Sequence, residues 1–84
     1  MGKIFMQQDV SYDLGPQPLD DIITKLNLTN TDLVKVSTEQ LSHKMVLKGR
    51  KGRRLTRNIQ EKILRALNAA VGEEKYGLKD LFNY

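Results

Sequence analysis

The stretch LTNTDLVKVSTEQLSHKMVLK, residues 28–48, decides the fold, because it reads either as two short helices or as one long one. Leu28-Thr29-Asn30-Thr31 is a run whose polar side chains compete for backbone hydrogen bonds and so favour helix caps. A helix that begins here, with Leu33 and Val34 turned inward, reaches about Val36. Ser37-Thr38-Glu39-Gln40 then has the form of a capping box, in which Ser37 accepts from the Gln40 amide and the Gln40 side chain reaches back. That predicts a second helix from about Thr38 to Lys48, with Leu41 and Met45 as its inner stripe and Gly49 as its end. The competing reading is a single helix from Thr31 to Lys48, since Val34, Leu41 and Met45 also recur at a spacing compatible with one face. Both versions leave a basic loop around Gly49 and Gly52. Only the first makes a helix-turn-helix.

Upstream, Gly15-Pro16-Gln17-Pro18 punctuates the chain. Leu19, Ile22, Ile23 and Leu26 follow at i, i+3, i+4 and i+7, the stripe of an amphipathic helix over roughly 18–26. Pro18 suits a first helical turn, and Asp20 and Asp21 complement its dipole. Downstream, Thr56 is a good N-cap for the longest helix, with Ile59, Ile63, Ala66, Leu67 and Ala70 on one face, a Glu61–Arg65 pair at i, i+4, and Gly72 as the stop. Leu78, Leu81 and Phe82 suggest a short final helix or turn. Residues 1–17 read as an irregular segment, with Lys3 to Val10 a short strand candidate that has no obvious partner. The fold class expected is all-α: a small four- to five-helix domain over residues 18–84 with a helix-turn-helix-like core.

Charge is distributed very unevenly. Lys44, Lys48, Arg50, Lys51, Arg53, Arg54 and Arg57 are seven of the fourteen Lys and Arg residues, and no Asp or Glu occurs from Gln40 to Gln60. The net charge of +4 is thus a local +7 set against −3 elsewhere. Such asymmetry focuses positive potential on one surface, the electrostatic footprint of a nucleic-acid binder. There is no cysteine, so neither disulfides nor a Cys-based zinc site can contribute. No apolar run approaches the length of a membrane span, and the first residues have the form of neither a signal nor a transit peptide, which makes the cytoplasm the default location.

On these residues, Leu28 to Leu67 resembles the helix-turn-helix of small phage-repressor (Cro-like) proteins. Leu28-Thr29 matches the entry to that motif's first helix, Asp32-Leu33-Val34 its core-facing residues, and Val36 to Ser42 its turn into the recognition helix. Ile63-Leu64-Arg65-Ala66-Leu67 is similar to the helix that closes such domains. The stretch from Ser37 to Val46, Gly52-Arg53-Arg54-Leu55-Thr56 and Asp80-Leu81-Phe82-Asn83-Tyr84 further resemble a family of short, uncharacterised bacterial proteins. The chain departs from the repressor motif between Thr29 and Ser37, where it is about three residues shorter and lacks the turn glycine. The resemblance implies a DNA-binding fold and brings no catalytic activity.

If residues 38–48 form a recognition helix, Thr38, Gln40, His43 and Lys44 lie on its solvent face as candidate base contacts. Gln pairs with adenine, His or Lys donates to guanine, and Glu39 can accept only from cytosine or else repels phosphate. Lys48, Arg50, Lys51, Arg53, Arg54 and Arg57 are candidate phosphate contacts, which position a protein without reading sequence. One such module spans few base pairs, so specific binding predicts a homodimer or a partner. A lone His43 without a hydroxyl, base and acid set gives neither a metal nor a catalytic site, so no enzyme, cofactor or metal is expected. All five aromatic residues lie outside 14–74, which argues against stacking on single-stranded RNA. Shape-based duplex RNA binding and an adaptor that docks an acidic protein through the basic loop remain as alternatives.

Overall fold

The structure, a computed structural model, describes residues 14–84, so the strand candidate at Lys3 to Val10 lies outside the described residues. The described chain is all-α. Five helices follow one another: α1 (Pro18–Lys25), α2 (Asn30–Val36), α3 (His43–Lys51), α4 (Arg57–Val71) and α5 (Leu78–Leu81). The first four are separate helices, and the single helix from Thr31 to Lys48 does not form.

Local chemistry accounts for most of the boundaries. The Thr29 side chain accepts from the Asp32 amide at 3.2 Å and Asp32 returns the bond to the Thr29 amide at 2.8 Å, a reciprocal cap that starts α2. Thr56 caps α4 through the Ile59 amide, and Gly72, at φ +90°, ends it in the left-handed region. Asn27, at φ 58°, closes α1 in the same region, with the Leu28 amide reaching back to the Ile23 carbonyl.

The core gathers one stripe from each helix. Leu19 and Ile23 of α1, Leu33 of α2, Val46 of α3, Ile63 and Leu67 of α4, and Leu81 of α5 are fully buried, and Leu41 and Phe82 join them. Helix α4 packs against α2, α3 and α5, while α1 packs against α3 and α5. Leu81 and Phe82 therefore cover α1 and α4 within the same chain and are not left as a free apolar surface. No helix among the described residues is long and apolar enough to cross a membrane.

Candidate nucleic-acid interface

Helix α3 differs from the sequence expectation at both ends, and the differences decide which residues share a face. Ser37 does not cap it. Its hydroxyl accepts from the Glu39 amide at 3.1 Å, a tight local turn that ends α2. Glu39 is then held by Arg65 of α4, whose Nε and Nη2 donate to its two carboxylate oxygens at 2.6 and 2.7 Å. This bidentate pair replaces the expected Glu61–Arg65 pair, and Glu61 instead lies 3.5 Å from Arg57. Hydrogen bonding to Arg65, opposed by partial desolvation and aided by the charges of Arg65 and Lys62, holds the Glu39 carboxyl below its ordinary range. The same contact raises Arg65.

With residues 37–42 outside any helix, Leu41 enters the core and Ser42 becomes the cap, accepting from the Met45 amide at 3.2 Å. Thr38 and Gln40 thus lie in the connection before α3 and not on it. At the other end, Gly49 does not stop the helix. It is buried mid-helix, and a Cβ there would stand 3.1–3.4 Å from side-chain atoms of Leu55, Ile63 and Leu19. A bare Cα lets α3 approach α1 and α4 closely, a packing role that resembles a terminator when read locally. The stop is Gly52, at φ +98°, where a Cβ would meet the Gly15 carbonyl oxygen at 1.8 Å because the 14–17 segment crosses directly above it. The Leu14 amide donates to the Gly52 carbonyl, and the Gln17 amide to that of Arg50. Arg50 and Lys51, expected in a loop, are therefore helical.

The result is a single basic face. His43, Lys44, Leu47, Lys48 and Lys51 are exposed on α3, while Val46 and Gly49 point inward. Spacings of three and four make these exposed residues neighbours on one side of the helix. Lys44, Leu47, Lys48, Lys51 and Arg53 line one groove, and Lys44 and Lys48 also border a second with Ser42, Arg54 and Thr56. A larger hollow of about 500 Å³ lies at the end of α4, but its lining of Arg65, Glu73 and Glu74 does not share the positive bias.

The six expected phosphate contacts divide three ways. Arg50 is committed inside the protein: its guanidinium donates to Asp20 at 2.6 Å, Asn30 at 2.8 Å and Thr24 at 3.4 Å, tying α3 to α1 and α2. Arg57 makes only a loose, exposed pair with Glu61. Lys48, Lys51, Arg53 and Arg54, together with Lys44, form no ion pair with any described residue. Tyr84 fixes the loop that carries Arg53 and Arg54, since its hydroxyl accepts from the Leu55 amide at 3.0 Å and donates to the Arg53 carbonyl at 3.4 Å. Gln17, buried, accepts from the Asn83 amide at 2.8 Å and donates to the Gly15 carbonyl at 3.0 Å, joining the two segments that flank this loop. Neither residue carried a sequence signal, because both act over long separations.

Comparison with known proteins returns no match to a family model, a curated sequence or a solved structure.

Proposed function

We propose that the protein binds duplex DNA by laying α3 along the major groove, as a regulator or an accessory regulator of transcription. The observation that carries this is the exposed face of α3, where Lys44, Lys48 and Lys51 make no ion pair with any described residue and stand beside Arg53 and Arg54. A helix with one cationic side, backed by a packed core, has the form and charge that a major groove admits. His43 and Lys44 sit in the first turn, where recognition helices meet base edges; Thr38 and Gln40, just before α3, belong to the flanking backbone in this reading. Lys48, Lys51, Arg53 and Arg54 take the phosphates, and Arg57 stands next to them at the start of α4. A homodimer is the expected binding unit.

Fluorescence anisotropy on duplex DNA across a salt series tests the proposal. Four phosphate contacts per subunit give a slope of about −3.6 in log affinity against log salt. The double change Arg53→Gln and Arg54→Gln should flatten that slope by about 2 units and weaken binding to every sequence, with the helical circular dichroism unchanged. A folded double variant with the wild-type slope would mean the basic face is not the binding surface. Undetectable binding by the wild type at low salt would favour the adaptor reading, and a preference for duplex RNA the shape-reading one.

A further inference from the structure

We propose that Leu47 reads the C5-methyl group of a pyrimidine in the major groove. The inference rests on the DNA-binding reading above and adds to it a specificity-determining residue and the chemistry of its ligand. Leu47 is 42% exposed, more than Leu26, Val36 or Tyr84, the other large hydrophobic residues left at the described surface. Its neighbour Val46 is fully buried, so the core takes position 46 and position 47 is turned to solvent by the helix itself.

What surrounds Leu47 restricts what it can meet. The groove it lines is otherwise made by Lys44, Lys48, Lys51 and Arg53, and it is the one apolar residue there. Phosphate offers a leucine nothing. A protein interface would supply an apolar core deprived of charge, and this groove is the reverse: a single apolar group inside a ring of cations. Duplex DNA has the complementary layout, with phosphates along the groove walls and, on its floor, the C5-methyl group of thymine as the apolar feature of the base edges. Leu47 stands one turn beyond His43 on the same side of α3, in the first two turns, where base contacts are made. Lys48 and Lys51 hold the walls while Leu47 faces the floor, beside the first-turn base contacts His43 and Lys44. Thymine supplies this methyl group in unmodified DNA, and 5-methylcytosine supplies the same group opposite guanine.

The test uses the full chain and a site selected from a random duplex library. Each thymine of that site is replaced in turn by deoxyuridine, which removes only the methyl group. One position per half-site should lose about three- to five-fold in affinity, the size of one buried methyl contact. Leu47→Ala should bind the thymine and deoxyuridine sites equally, and Leu47→Met should keep the preference, since its side chain still fills the space. Cytosine against 5-methylcytosine at the same position separates the two sources of the group: a gain from methylation that exceeds the thymine affinity assigns Leu47 to modified DNA, and a smaller gain assigns it to thymine. Wild-type protein indifferent to deoxyuridine at every position would overturn the assignment of Leu47, and so would a preference that survives in Leu47→Ala. In that case a specific site with the expected salt slope leaves the DNA-binding reading standing. Failure to enrich any duplex would overturn the assignment of Leu47 and the sequence-specific regulator, and salt-dependent binding to random duplex would then leave a nonspecific DNA binder.

Discussion

Arg50 and Arg53 are three residues apart and do different work. Arg50 spends its guanidinium on Asp20, Asn30 and Thr24, and its side chain is only 21% exposed. Arg53 projects from the loop with no ion pair to a described residue. Arg50→Gln should therefore lower stability by about 1–2 kcal/mol, because the exposed Asp20 partner limits the worth of the pair, and should leave the DNA salt slope unchanged. Urea unfolding and the anisotropy series measure the two effects separately. Glu39 gives a pH test at the same scale. Its folded-state carboxyl sits below the ordinary value, so its pairing with Arg65 contributes stability above the unfolded-state pKa and loses it as pH falls through the lowered one. Glu39→Gln should be less stable than wild type at neutral pH, and the gap in unfolding midpoints should close as the solution is acidified below the carboxylate range. A gap independent of pH would show that the pair does not act through charge.

At the scale of elements, the ends of helices were legible wherever one residue decided them. Thr56 and Gly72 act through bonds within their own turn and hold the roles read for them, and Thr29, one residue of the cap-favouring run 28–31, is the one that caps α2. Helix α3 was misread because each of its ends had two claimants. Ser37 and Ser42 can both cap, and the choice falls to Arg65, twenty-six residues from Glu39, which draws residues 37–42 away from a helical path. Gly49 and Gly52 can both terminate, and the choice falls to packing against Leu19, Leu55 and Ile63 and to the crossing at Gly15. Neither contact leaves a local trace in the sequence. The distinction between glycines gives a paired experiment. Gly52 and Gly72 both sit at positive φ, but a Cβ at Gly72 meets nothing within 4 Å. Gly72→Ala should cost about 1–2 kcal/mol of backbone strain. Gly52→Ala must add displacement of the 14–17 segment and should cost at least about 1 kcal/mol more. Equal urea midpoints for the two variants would mean that the crossing does not constrain α3.

For the whole molecule, folding sorts a charge run into structural and available cations. The sequence places seven positive residues between Lys44 and Arg57 and cannot tell which are consumed internally. Packing α3 against α1 turns Arg50 inward and leaves Lys44, Lys48 and Lys51 on the opposite side, next to a loop fixed by Tyr84. Leu81 and Phe82 close the other end of the core and keep α1, and through it α3, in place. The basic face is thus a property of the assembled helices and not of the run alone. Its function is tested most directly by titrating a short duplex into isotopically labelled protein and following backbone amide shifts by NMR. The account predicts that the largest changes fall on His43 to Lys51 and on Arg53 and Arg54, with the hollow around Arg65, Glu73 and Glu74 undisturbed. Changes centred on that hollow, or none along α3, would contradict it.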